Sequence, residues 1–290
     1  MATVSQWVQG ARLRTLPMAI APVVVGSAAA ADLDGFHLGR AVLALLVSLA
    51  LQIGVNYSND YSDGVRGTDD VRVGPLRLTG SGAARPGQVK AAAFACYGAA
   101  MVLGLILVVW AQTWWLIAVG ALAVLAAWYY TGGKKPYGYL GLGEVFVFIF
   151  FGLVAVLGTT YTQALEISGL AWVGAIGCGL ISTALLMANN VRDIPTDREA
   201  GKRTLAVRLG DTGARWSYPV MIGVAALLPL IFIGQHPLLL AVAVATLAAG
   251  FDPSRTMIRA KERHELIPVL KATGMLGLMY ALLFAVATLL

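Results

Sequence analysis

Apolar residues run along this chain in blocks of about twenty, the length that crosses the hydrocarbon core of a bilayer as a helix. The blocks lie near 16–32, 40–58, 89–110, 114–131, 143–163, 169–190, 217–234, 237–251 and 268–289, and short polar connections separate them. None alternates apolar and polar residues as an outer-membrane strand would. The pattern predicts an all-α integral membrane protein, a bundle of about nine transmembrane helices. The blocks leave little room for a separate soluble unit, so residues 1–290 read as one domain.

Composition agrees with this pattern. The chain is 58% apolar and 12% charged, where soluble proteins carry about 25% charged residues. Charge placement adds an orientation. All but one of the 21 Lys and Arg residues fall at the N-terminus or in alternate connections, on one side of the nine-span map; Arg40 is the exception. The positive-inside rule makes that side the cytoplasm. The N-terminus is then cytoplasmic and the protein a multi-pass component of the cell membrane. The net charge of +6 becomes a topology signal. A nucleic-acid footprint would need clustered aromatics or a basic soluble module, and neither is present. MATVSQWVQGARLRTLP could open a signal peptide, but no clean cleavage site follows, so it reads as an amphipathic lead-in. Cys96 and Cys178 lie in apolar runs and suggest neither a disulfide framework nor a thiolate metal site. Trp7, Trp110, Trp114 and Trp115 fall near expected interfaces, as an aromatic belt would.

Against this apolar background, NYSNDYSDGVRGTDD (56–70) ends the second block with two asparagines and four aspartates. Asn56, Asp60 and Asp63 lie at i, i+4 and i+7, on one helix face, and Asn59 adjoins it. The sixth block ends alike, in NNVRDIPTDREAGKRTLAVRLG (189–210). Either Asn189 or Asn190 again shares a face with Asp193 and Asp197, and Pro195 is expected to end or kink the helix between the two aspartates. Arg192, Lys202 and Arg203 lie nearby. Both clusters fall on the basic side of the map and lead into long connections, which in a compact protein are usually functional or disordered. Intramembrane ionisable groups are costly and mark functional sites. Solvated helix ends would explain one such motif; they explain two, each with an amide one turn earlier, poorly.

Mg2+ binds hard oxygen donors, typically one or two carboxylates plus substrate phosphates. Two acidic faces opposite one another suit a metal-bridged diphosphate, with Lys and Arg balancing the remaining charge. A third piece on the same side, WYYTGGKKPYGYLGLGEV (128–145), sets Tyr130, Tyr137 and Tyr139 around a glycine-rich turn with Lys134 and Lys135, and Glu144 follows. Such a cationic, aromatic hairpin suits an aromatic acid or a diphosphate equally. An interfacial tyrosine belt would look the same.

These residues resemble the UbiA-type intramembrane aromatic prenyltransferases, whose mark is two Asp-rich motifs after the second and sixth of nine helices. Asn59-Asp60-x-x-Asp63 matches the first and Asp193-x-x-x-Asp197 the second. This chain departs from the first motif at Gly67, where an aspartate is usual, and Asp69 follows. RTLPMAIAPVVVG (14–26), NDYSDGVRGTDD (59–70), RLTGSG (77–82), YTGGKKPYGYLGLGE (130–144) and the second motif look most like the menaquinone branch, in which the Gly67 departure is itself typical. The likeness covers nearly the whole chain in span layout.

The resemblance implies transfer of a polyprenyl group from a polyprenyl diphosphate to 1,4-dihydroxy-2-naphthoate with decarboxylation, giving demethylmenaquinone. It implies Mg2+ on Asp60, Asp63, Asp193 and Asp197. Diphosphate contacts would come from Asn56, Asn59, Arg66, Lys135, Asn189, Arg192, Lys202 and Arg203. Acceptor contacts would come from Arg14, Tyr130, Tyr137 and Tyr139. Lys134 is a candidate partner of the acceptor carboxylate or the diphosphate. Glu144 and the tyrosines are candidates for the ring base. The same scaffold could serve 4-hydroxybenzoate or homogentisate. A cation- or proton-coupled transporter would also use acidic helix sites, although near the midplane and on broken helices. Glycine-rich spans could pack within one chain or between chains, and the sequence does not choose.

Overall fold

The apolar blocks all fall on helices. The computed structural model describes residues 2–67 and 76–290, and among these every regular element is helical. The elements are α1 (Val4–Gly10), α2 (Pro17–Asp32), α3 (Leu38–Val65), α4 (Pro86–Ala111), α5 (Leu116–Tyr129), α6 (Gly143–Ala164), α7 (Gly169–Glu199), α8 (Leu205–Leu227), α9 (Leu239–Arg259) and α10 (Ile267–Leu289). By length and composition α3, α4, α6, α7, α8 with its short extension, and α10 could each cross a membrane, six in all. The lead-in Val4–Thr15 and α2, joined at a 49° bend, add a seventh if taken as one span. The bend falls at Pro17, which opens α2, a position where proline costs no helical hydrogen bond. Large apolar side chains such as Met101, Leu105, Leu122, Val244 and Phe251 stay exposed. In water they would be a liability; they suit a multi-pass membrane protein.

The two motif-bearing helices run further than the apolar blocks. α3 continues past 58 to Val65 and α7 past 190 to Glu199, so both acidic motifs are helical. Pro195 sits inside α7 without ending it. α8 begins at Leu205, well before 217, and is broken at Gly210, whose backbone leaves the helical region. α6 widens into a π-helical stretch over Phe148–Val154, where Gly152 meets the backbone of α7: a Cβ there would lie 2.6 Å from the Gly179 Cα. Small residues permit such close packing in a medium that offers no hydrophobic drive between helices.

Among the described residues three packed groups result, the smallest formed by Val23, Ala44 and Leu107 and the other two larger. In the largest, α2, α6, α7, α8, α9 and α10 bury Ile181, Met187, Tyr218, Tyr280 and Phe284. In the second, α1, α3, α4 and α5 close over Tyr57, Leu78 and Tyr97. Some buried hydroxyls pair across helices, with Ser58 and Tyr97 2.7 Å apart and Tyr218 and Thr273 2.6 Å apart. Arg40 lies at the end opposite the acidic motifs, where its guanidinium donates to the carbonyls of Trp110, Thr162 and Gln163.

Candidate active site

Asp60 and Asp63 occupy the last turns of α3. Asp60 is fully buried and accepts from the backbone N–H groups of Leu78 (2.7 Å) and Thr79 (2.8 Å). A carboxylate holding two backbone donors is a strong anchor, and it fixes the 77–80 turn against α3. That turn carries Arg77, whose Nη2 comes within 3.9 Å of Asp63 Oδ2. Asp63, 6% exposed, accepts a 2.8 Å hydrogen bond from the Tyr139 hydroxyl. Lys202 Nζ lies 3.5 Å from the same oxygen. Asn56 is committed elsewhere: its amide donates to Ala11 O (2.9 Å) and Thr15 Oγ1 (3.0 Å) and ties α3 to the lead-in. Asn59 Oδ1 accepts from Thr131 Oγ1 at 2.9 Å.

α3 ends at Gly67 in the left-handed region (φ 72°), which favours glycine. The backbone itself accounts for glycine at the position where an aspartate was expected. Asp69 lies outside the described residues. The last turn presents Arg66, which donates to the carbonyls of Thr131 and Gly133 and lies 5.2 Å from the Tyr139 ring centroid. The 131–139 hairpin is thereby pinned over the end of α3.

α7 brings the second motif to the same place. Arg192 grips Asp193 with two 2.7 Å hydrogen bonds, and Asn189 accepts a third from it at 2.9 Å. Asp197 lies buried one turn on. The helix then closes with Gly201 at φ 71°, the Gly201 N–H on Arg198 O and the Lys202 N–H on Asp197 O (2.8 Å). This paired cap is a Schellman motif, and it turns the chain back so that Lys202 reaches Asp63 on the other helix. Lys202 also lies 4.5 Å from the Tyr139 ring centroid. Burial pulls its ammonium pKa down, but Asp63, Tyr139 and Asp197 outweigh burial and raise it above 10.5. Burial raises the Tyr139 hydroxyl pKa, and the neighbouring Asp63 raises it further. The two motifs, far apart in sequence, thus meet at Lys202, which follows the second and reaches Asp63 of the first.

Other expected residues fall beside this centre. Glu144 opens α6 and is 3% exposed; Asn190 donates to its Oε1 at 2.9 Å, while its Oε2 has no hydrogen-bond partner among the described residues. Of the two asparagines that precede the second motif, Asn190 links it to α6, while Asn189 accepts from Arg192. Arg14, Lys134, Lys135 and Arg203 have exposed side chains, and Arg203 joins the hairpin through its backbone N–H to Tyr139 O at 2.9 Å. Tyr137 stacks on Phe146 (4.1 Å between centroids) and donates to Ala126 O. Arg77 and Thr131 were not among the expected site residues, although RLTGSG (77–82) and YTGGKKPYGYLGLGE (130–144), which contain them, are among the stretches that carry the family likeness.

Beside this centre an apolar cavity of about 560 Å³ is lined by residues of α2 to α7, Asn59 of the first motif among them. Asn56, Asn59, Tyr130 and Tyr137 lie at its polar end, and side chains such as Leu105, Val124 and Phe150 line the rest. Among the described residues no three Asp, Glu, His or Cys side chains form a protein cage for a metal. Carboxylate and amide oxygens are available singly and in pairs, the hard donor set through which Mg2+ binds jointly with substrate phosphates.

Residues 19–276 match the UbiA prenyltransferase family. The chain belongs to that family. Among UbiA relatives, the 1,4-dihydroxy-2-naphthoate octaprenyltransferase of Mycobacterium tuberculosis is 51% identical over 98% of this chain and 97% of its own length. The enzyme of the same name from Haemophilus influenzae is 37% identical over 98% of this chain and 95% of its own length. The fold matches a UbiA homologue from Archaeoglobus fulgidus solved with DMAPP and Mg2+ (TM-score 0.69, 14% identity, 98% of both chains). It also matches the apo UbiA homologue from Aeropyrum pernix (TM-score 0.70, 16% identity, 94% of this chain and 96% of that one).

Proposed function

We propose that this chain transfers a polyprenyl group from a polyprenyl diphosphate to 1,4-dihydroxy-2-naphthoate, with loss of the carboxyl group, in menaquinone biosynthesis. The observation that carries the reading is the meeting of the two motifs at Lys202, whose ammonium lies 3.5 Å from Asp63 while its backbone N–H caps Asp197 O, beside an apolar cavity. Diphosphate and isoprenoid tail need this pairing of a charged mouth with a greasy channel. The naphthoate acceptor is supported by the names of relatives similar over nearly their whole length.

Mg2+ would be held by Asp63, Asp193 and Asp197, with Asp60 both anchoring the 77–80 turn and contributing its remaining lone pairs. Bound there, it supplies positive charge against the charge that develops on the departing diphosphate. The chain's own cations act in the same sense. Lys202, Arg66, Arg77 and Arg192 surround the aspartates, while Lys134, Lys135 and Arg203 lie on the exposed rim. The apolar channel holds the tail and keeps water from the allylic cation left when diphosphate departs. The electron-rich ring attacks that cation and releases carbon dioxide. The immediate product is the quinol, which oxidation converts to demethylmenaquinone. Tyr130 and Tyr137 flank the acceptor, whereas Tyr139 serves Asp63. Glu144, buried beside Asn190, is the candidate proton acceptor. Nine spans, a cytoplasmic N-terminus and a site facing the cytoplasm across the cell membrane complete the reading, supported by the one-sided Lys and Arg.

The test is mass spectrometry of products from purified protein in detergent, given 1,4-dihydroxy-2-naphthoate and a polyprenyl diphosphate with Mg2+ or EDTA. A Mg2+-dependent product that has gained the prenyl group and lost the carboxyl group is expected. Prenylation of 4-hydroxybenzoate or homogentisate in its place would keep the family chemistry and overturn the acceptor.

A further inference from the structure

Pro195 lies inside α7 between Asp193 and Asp197. Proline has no N–H, so the Val191 carbonyl, four residues earlier, loses its helical donor, and the ring crowds that carbonyl outward. A helix broken in this way is ordinarily bent or frayed at that point. Here the Val191 carbonyl accepts from Arg263 Nη1 at 3.0 Å. Arg263 comes from the connection between α9 and α10 and is itself held by Asp211 Oδ1 at 2.5 Å. Asp211 is steadied through its other oxygen by Arg215 Nε at 2.8 Å. The Arg215 side chain is buried and donates to Met257 O (2.7 Å) and Ala260 O (3.0 Å) at the end of α9. None of these three charged residues touches the aspartates of the site.

We infer that Arg263, held by the Asp211–Arg215 pair, is a positioning residue that supplies the hydrogen bond Pro195 removes and so fixes the last turn of α7, with Asp197 and the Lys202 cap, for diphosphate binding. The proline leaves a hinge between the two aspartates of the second motif, and the arginine closes it from a different part of the chain. The consequence for diphosphate rests on the function proposed above; the brace itself does not.

The experiment is a cycle of Arg263→Ala, Arg263→Lys, Pro195→Ala and the double variant Pro195→Ala/Arg263→Ala. Pro195 is exposed, so its replacement opens no hole. The first readout is amide hydrogen exchange of the metal-free protein across residues 192–202. Arg263→Ala should speed exchange there several-fold, Arg263→Lys less so, and Pro195→Ala should suppress the effect by restoring an N–H to Val191 O. Unchanged exchange in Arg263→Ala, or equal losses with and without Pro195, would overturn the brace. The second readout is KM for polyprenyl diphosphate, expected to rise several-fold in Arg263→Ala with kcat changed less, and to recover in the double variant. Exchange that follows the cycle while KM stays fixed would leave the brace standing and sink the assignment of the second motif to diphosphate.

Discussion

Asp63 is where side chains from three connections meet, those of Tyr139, Lys202 and Arg77. Groups that orient a metal-binding carboxylate typically alter affinity about 10- to 100-fold when removed. Tyr139→Phe should therefore raise the Mg2+ concentration for half-maximal turnover by roughly 10-fold, whereas Asp63→Asn and Asp197→Asn should abolish turnover at any Mg2+ level. A Tyr139→Phe titration that overlays the parent's would remove the tyrosine from the site. Lys202 gives a prediction in pH. Its folded pKa lies above 10.5, so its pairing contribution is complete below the unfolded value and fades only as pH rises through the folded one. The melting-temperature difference between parent and Lys202→Met should stay constant from about pH 6 to about pH 9. A difference that shrinks within that window would mean the ammonium is not held as described.

At the scale of elements, much was legible from apolar blocks and their polar ends. Each of the nine blocks falls on a helix, and both acidic motifs lie at helix ends, because burial in lipid forces backbone hydrogen bonds into helices. Lengths were read less well. Pattern alone ended the second and sixth blocks at 58 and 190, since polar residues ordinarily compete with their own backbone. In the structure those side chains bond to other segments, Asp60 to the 77–80 turn and Asn190 to Glu144, so the helices continue beneath them. The π-helical stretch of α6 had no sequence signature; Gly152 within it packs against the α7 backbone. Gly152→Leu should force these helices apart and destabilise the protein by about 1–3 kcal/mol, measured as reduced denaturant or thermal resistance in detergent. Unchanged stability would mean that the interface relaxes freely.

At the scale of the whole molecule, the proposed function makes the cavity the place of the isoprenoid tail. A channel of about 560 Å³ is long and apolar, and its walls are side chains from helices spread over the first two thirds of the chain. Val124→Trp would fill part of it midway along α5. It should leave turnover of a short prenyl diphosphate such as geranyl diphosphate nearly intact and reduce that of an octaprenyl diphosphate about 10-fold or more, as lost burial of several methylenes at roughly 0.8 kcal/mol each requires. Competition between the two donors in one reaction measures this directly. An unchanged product ratio would show that the tail runs elsewhere.

The sequence by itself determined the membrane class, the positions of the helices, the two aspartate motifs and, through its likeness to a family, the kind of reaction to expect. These are local or compositional properties: apolar length, one-sided charge, and amide and carboxylate spacing on a helical face. Only the tertiary structure decided which of the many basic residues meet the aspartates. Lys202 and Arg77 reach Asp63 and Arg192 grips Asp193, while Asp60 goes to a backbone turn and Glu144 pairs with Asn190. The tertiary structure also brought Arg263 to the carbonyl that Pro195 leaves behind. Such pairings join residues far apart in the chain, and they depend on how helices pack and how caps such as Gly201 redirect the backbone, which no single stretch of sequence encodes.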